Sequence, residues 1–166
     1  DTYINTPRLR PEQRETKLEK ARQTTLRFIY FIQHELGFSN LAPDLDEFPS
    51  HDGLALMPYY RESRRMRGMA RLTMPDVAEP FSTMEPLYRT GIAVGDYPID
   101  HHHKKNPLAP QHLDFYPVPS FSVPLGTMIP EKMNGLIAAD KNISVSNVVN
   151  GTTRLQPVVM LTGQAA

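Results

Sequence analysis

Asn134-Gly-Leu-Ile-Ala-Ala-Asp140-Lys-Asn-Ile-Ser144 opens the closing stretch of the chain, Gly151-Thr-Thr-Arg154 follows, and Leu155-Gln-Pro157 leads to Gly163-Gln-Ala-Ala166. The pattern predicts a short buried strand over 136–139, a polar turn, a Gly/Thr-rich loop and a helix start. A strand-to-helix junction of this kind directs backbone N–H groups and the positive end of a helix dipole at an anion or an electron-rich ligand. The chain ends inside that helix, so this segment reads as the tail of a larger assembly. It also begins at Asp1 rather than Met, as expected of a processed, truncated or excised chain.

Outward from this stretch, composition narrows the function classes. The 166 residues suffice for one domain with its own core. Eighteen basic and eighteen acidic side chains balance, which leaves no net-charge footprint for nucleic acid or an anionic membrane. There is no cysteine, hence no disulfide framework, thiol nucleophile or cysteine metal site, and the compartment stays open between cytoplasm and periplasm. No apolar run approaches the ~20 residues of a membrane span. The chain has sixteen prolines, about twice the usual ~5 % usage, and ten of them cluster from Pro75 to Pro130. That region cannot be mostly helix, because proline breaks helix interiors and pushes the preceding residue to extended conformations. It reads as edge strands and connections forming a cap or substrate-facing layer.

The clearest element is a helix over 11–36. Pro11 suits its first turn, and Glu12 and Glu15 suit its positive end. Leu18, Ala21, Thr25, Phe28, Ile29, Ile32 and Leu36 recur at helical spacing, and Gly37 stops the helix. The aromatics from Phe28 to Phe31 lead us to expect deeper burial of its second half. Residues 38–52 read as a solvated connection; Asp44, Asp46 and Glu47 lack the glycine and terminal glutamate of a calcium loop. Short strands are expected at Leu54–Tyr60, Met69–Thr73 and Ile92–Ile99, a helical turn at Pro75–Val77, and an extended segment over Asp114–Val123.

Two clusters carry possible chemistry. His101, His102 and His103 follow Asp100, and consecutive strand residues alternate faces, so His101 and His103 could share one with Asp114 or His112. Metal binding is the weaker reading of this run; a contact with a substrate or the edge of an organic cofactor, or a structural role, is favoured. Arg61-Glu-Ser-Arg64-Arg65 is the stronger cluster. An arginine paired with Glu62 is structural, whereas a spare guanidinium fork holds a carboxylate or phosphate. Arg61, Arg64 and His101 are thus the candidate catalytic residues. No Gly-x-Ser-x-Gly elbow, Walker loop or Gly-x-Gly-x-x-Gly fingerprint occurs.

Six blocks then stand in fixed order: Tyr59-Tyr-Arg-Glu-Ser-Arg-Arg-Met-Arg-Gly68, Gly95-Asp-Tyr-Pro-Ile-Asp-His101, Pro117-Val-Pro119, Asn134 to Ser144, Gly151-Thr-Thr-Arg154 and Gly163-Gln-Ala-Ala166. Together, over residues 10–166, they resemble the C-terminal half of the FAD-dependent oxidoreductase family of bacterial flavoproteins, some of whose members carry a xanthan lyase label. The resemblance implies an α/β (α+β) fragment with one long N-terminal helix. Residues 10–133 would form a substrate layer. Residues 134–166 would form the returning strand-loop-helix of a Rossmann-like FAD-binding domain. FAD would be held only together with an upstream half carrying the Gly-rich fingerprint, and a small organic molecule would be the substrate. Asp140, Lys141, Ile143 and Ser144 would lie beside the cofactor. Gly151, Thr152, Thr153 and Arg154 would aim N–H groups at the flavin pyrimidine edge, where reduced flavin accumulates negative charge. The family more often has Gly-Arg at Asp140-Lys141, so the basic contact is either kept by Lys141 or altered. The implied activity is hydride or electron transfer by the parent protein, with the fragment alone inactive. The alternatives are a non-catalytic interaction domain and, far behind, a polysaccharide lyase using Tyr59, Tyr60, Arg61 and His101.

Overall fold

The computed structural model describes residues 6, 8–62, 64–82, 87–101 and 115–166. The chain divides into two compact units, Asp1–Tyr60 and Arg61–Ala166.

The first unit is organised by helix α1, Pro11–His34, about 36 Å long at 1.5 Å per residue. Pro11 occupies its first turn and Glu12 faces its positive end. The Arg10 N–H donates to Gln13 Oε1 at 3.1 Å, satisfying a donor that would otherwise be orphaned. At the other end the Leu36 and Phe38 N–H groups reach back to the Phe31 and Ile32 carbonyls, both at 3.2 Å. Gly37 makes that reversal with φ +76°, a region costly to side-chain-bearing residues. The predicted helix is therefore present, but the deeper burial expected of its second half is not. Phe28 and Phe31 are 61 % and 45 % exposed, and no residue of α1 is fully buried. At 100° per residue Phe28 and Phe31 share one face while Tyr30 points away from it, so no single surface covers all three. Residues 38–60 form turns without a strand, against the expectation for Leu54–Tyr60. Arg22 clamps this stretch to α1: its Nε donates to Asp52 Oδ2 at 2.5 Å and its Nη2 to Oδ1. Burial pushes the Asp52 carboxyl up, but the Arg22 hydrogen bond, the Leu54 N–H and the Arg22 and His51 charges hold it below the usual carboxylate range.

The second unit contains α2 (Met74–Ala78), β1 (Gly91–Gly95), β2 (Phe121–Pro124), α3 (Asn147–Thr153) and α4 (Gln156–Ala165). It is a mixed arrangement of short helices on a two-stranded antiparallel sheet, an α+β fold among the described residues. Ala93 pairs with Val123 and Gly95 with Phe121; a bulge between Gly91 and Ala93 shifts the register. Leu72, Val77, Ile99, Phe121, Val123, Met128, Ile143 and Val149 make the centre of the core. Each such fully buried side chain stabilises the fold by roughly 1.5–3 kcal/mol. α2 starts as anticipated at the Pro75 turn; Thr73 N–H and Oγ1 both donate to Asp76 Oδ2 at 2.7 Å. Gly95 lets β1 approach Phe121 and α4, since a Cβ there would lie 2.6 Å from Phe121 Cζ.

Two expected strands are corrected. Residues 136–139 form no strand. Gly135 turns the chain with φ +75°, Leu136 and Ile137 are about half exposed, and Ala138 N–H donates to the Met128 carbonyl without a ladder forming among the described residues. An apolar run without a neighbouring ladder does not become a strand. Met69–Thr73 is likewise not a full strand. Its stretch instead makes single bridges on two sides, Gly68 to Pro130 and Leu72 to Val145.

Candidate functional site

The second unit gathers its buried polar groups around α3. This helix reads Asn-Val-Val-Asn-Gly-Thr-Thr, mostly weak helix formers, so it depends on its cap and its packing. Ser146 caps it: its Oγ accepts from Val149 N–H at 3.3 Å, while its own N–H donates to the Leu72 carbonyl at 2.9 Å. Val149 is completely buried against the core. Asn147 and Asn150, three residues apart, consequently share one face.

That face meets the Arg61–Glu62 segment and His101. Asn147 Nδ2 donates to Glu62 Oε2 at 2.9 Å, and Asn150 Nδ2 donates to the Arg61 carbonyl at 3.4 Å. Glu62 Oε2 also accepts from Arg65 Nη1 at 3.3 Å. His101, 1 % exposed, donates from Nε2 to the Asn147 carbonyl at 2.6 Å, so the proton sits on that nitrogen. The amide oxygens Asn147 Oδ1 and Asn150 Oδ1 are buried and accept no hydrogen bond among the described residues. Buried acceptors in that condition cost about 1–3 kcal/mol each unless a donor arrives. A group presenting N–H or O–H would satisfy them.

The far end of α3 is closed by its own packing. Gly151, Thr152 and Thr153 lie inside the helix, not in a loop as the sequence suggests, and Arg154 is its C-cap. Thr152 Oγ1 donates to the Tyr97 carbonyl at 2.5 Å. Arg154, 5 % exposed, donates from Nη2 to the Asp100 carbonyl at 2.6 Å. At Gly151 a Cβ would lie 2.9 Å from that same carbonyl oxygen, so a glycine is what lets α3 seat against residues 99–101. Helical N–H groups point to carbonyls four residues earlier, so these four positions have satisfied backbone, and Thr152, Thr153 and Arg154 bury their side chains.

The other anticipated cofactor residues divide between surface and core. Asp140 and Lys141 stand on an open 3₁₀ turn, Asp140–Asn142, fixed by Asp140 N–H on Thr162 Oγ1 at 3.4 Å. Ile143 and Ser144 are buried directly behind it. Among the candidate catalytic residues, Arg61 touches the polar cluster through its carbonyl, His101 lies within it, and Arg64 lines a separate cavity. Ser63, His102, His103, His112 and Asp114 lie outside the described residues. Among the described residues no three His, Asp or Glu side chains gather as a metal site, and no helix is long and apolar enough to cross a membrane. Sequence reasoning missed Asn147 and Asn150. Their i, i+3 spacing after a capping serine would have marked a polar helix face had the segment been read as helical.

The cavity beside this cluster has a volume of about 830 Å³. It lies along residues 64–71 and is bordered by Arg64, Arg65, Arg67 and Arg71, with Glu131 as the acid in its lining.

The buried polar cluster on α3 and the arginine-bordered cavity are the candidate site of this α+β unit. The sequence model described as FAD dependent oxidoreductase matches residues 1–166, the whole chain. The chain belongs to the FAD-dependent oxidoreductase family. Curated proteins and solved structures give no significant match.

Proposed function

We propose that the chain is the C-terminal portion of an oxidoreductase that moves a hydride or electrons between a small organic substrate and FAD. The family match over residues 1–166 carries this reading, and the orphaned acceptors of Asn147 and Asn150 support it. The ADP part of FAD is held by an upstream Rossmann-like half with a Gly-rich turn, since no Gly-x-Gly-x-x-Gly lies within the 166 residues. Asp140 and Lys141 contact the cofactor from their exposed turn. Ile143, Ser144, Thr152, Thr153 and Arg154 form the floor that fixes this turn and α3, and Gly151 lets the floor close. Bound beside them, the flavin supplies the electron transfer; the chain's own groups orient it, donate or accept hydrogen bonds, and exclude water.

The test is cofactor content. Protein that includes the upstream half is expected to copurify with flavin or to gain its absorbance on addition of FAD, whereas residues 1–166 alone are expected to show no redox turnover. An upstream-containing protein that neither carries nor takes up FAD would refute the reading and favour a non-catalytic interaction domain. A polysaccharide lyase would instead release unsaturated uronate from a uronate-containing polymer, and we expect none.

A further inference from the structure

The dipeptide Asn-Gly occurs twice in the chain, at Asn134-Gly135 and at Asn150-Gly151, and the fold treats the two oppositely. An asparagine before glycine is open to attack on its own side chain. The glycine carries no Cβ to hinder the approach of its backbone nitrogen to the side-chain amide carbon.

At the first site nothing restrains that approach. Glu131 N–H is tied to the Arg67 carbonyl at 3.0 Å and Ala138 N–H to the Met128 carbonyl at 2.9 Å. Between these ties residues 132–137 are all exposed and make no backbone hydrogen bond among the described residues. Asn134 and Gly135 sit in a bend of this arc, flanked by exposed Met133 and Leu136. Gly135 has φ +75°, and a Cβ built on it would meet no heavy atom within 4 Å. The backbone on either side of the peptide is thus free to turn.

Asn150 presents the same pair of residues in a locked state. It is 1 % exposed, and its Nδ2 donates to the Arg61 carbonyl at 3.4 Å. Gly151 follows it inside α3, where φ and ψ are held near helical values. A Cβ on Gly151 would lie 2.9 Å from the Asp100 carbonyl oxygen. The main chain there has no room to swing its nitrogen towards the Asn150 amide carbon.

We propose that Asn134 is a site of spontaneous covalent modification, deamidation through a succinimide. The Gly135 backbone nitrogen gives up its proton to solvent base and attacks Asn134 Cγ. A C–N bond forms, the Cγ–Nδ2 bond breaks, and the amide nitrogen leaves as ammonia with a proton returned by solvent. Water then opens the ring at either carbonyl. One opening gives aspartate; the other gives isoaspartate, with the main chain rerouted through the side chain. Water is the co-reactant, ammonia is released, and nothing is oxidised or reduced. A neutral amide becomes a carboxylate, so the formally neutral chain becomes anionic. In the isoaspartyl form the main chain also gains a methylene, at the head of the segment that leads to the Asp140–Asn142 turn. The site does not depend on the flavoprotein reading.

The experiment is incubation of residues 1–166 in mildly alkaline buffer, with and without urea, followed by peptide mapping with a fragmentation that tells isoaspartate from aspartate. In the folded protein, conversion at Asn134 is expected to exceed that at Asn150 by on the order of tenfold or more, since Asn150 reacts only after α3 opens. In urea the two are expected to convert at similar rates, because the fold that separates them is gone. Asn134→Gln, whose closure would need a larger ring, should remove the acidic form that otherwise accumulates on ion exchange. Circular dichroism checks that the samples without urea remain folded. Equal conversion of Asn134 and Asn150 in the folded protein overturns the proposal. So does an Asn134 that stays intact when folded and converts only in urea.

Discussion

Replacing Gly151 by alanine tests the seating of α3 most directly. In an unobstructed helix interior Gly→Ala stabilises by about 1 kcal/mol, because alanine loses less backbone freedom. At Gly151 the new methyl would stand 2.9 Å from the Asp100 carbonyl oxygen, 3.1 Å from His101 Cδ2 and 3.2 Å from Ile99 Cγ2. The first of these is backbone, and it also accepts the 2.6 Å hydrogen bond from Arg154. Relieving the contact therefore moves Asp100 away from α3 and lengthens a charge-assisted bond. Overpacking of this kind costs about 1–3 kcal/mol, and weakening the Arg154 bond adds to it. After subtraction of the propensity gain, Gly151→Ala is expected to destabilise by about 1–2 kcal/mol. Gly163→Ala is the internal control: it lies in α4 with nothing within 4 Å of its added methyl, and should stabilise by up to ~1 kcal/mol. For a unit of this size each kcal/mol moves the midpoint by roughly 4–8 °C, so thermal melts followed by circular dichroism should separate the two variants by about 10 °C or more. If Gly151→Ala melts as high as Gly163→Ala, the close approach of α3 to residues 99–101 is wrong.

Ser146→Ala removes the cap of α3 and should cost about 1 kcal/mol in urea unfolding, with Ser146→Thr recovering most of it. The Arg22–Asp52 clamp predicts an acid limb. The folded Asp52 pKa lies below its unfolded value, so its contribution is complete above the unfolded pKa of about 3.9 and is lost as pH falls through the folded value. Asp52→Asn should lower the urea midpoint at neutral pH and flatten its dependence on pH below about 4; an unchanged acid limb would show that the clamp does not hold.

The elements legible in the sequence are those marked by local stereochemistry. Pro11 and Gly37 bracket α1, and Pro75 opens α2, because proline and glycine act through φ alone and need no tertiary context. The misread elements depend on partners distant in the chain. Leu136–Ala139 has the composition of a strand but no ladder beside it, and Asn147–Thr153 has the composition of a loop but a cap and a core that impose a helix. The site was legible in its ingredients and not in its arrangement. Glu62, His101 and Arg154 stood within the motifs, while their meeting through Asn147, Asn150 and Asp100 spans separations of 46 to 89 residues. The aromatics of α1 show the opposite failure: helical spacing was correct, but Phe28 and Phe31 stay exposed on the face they share and Tyr30 projects away from it.

The two-sided tethering of residues 66–72 has an evolutionary corollary. A segment laced along both edges cannot slip without breaking bonds to 126–131 and to 142–146 together. Substitutions on its outer face alter charge while leaving the weave intact. A single inserted or deleted residue within it would exchange its faces, turning arginines towards the core and Leu72 towards water. Relatives should therefore hardly vary in how many residues they use for this segment.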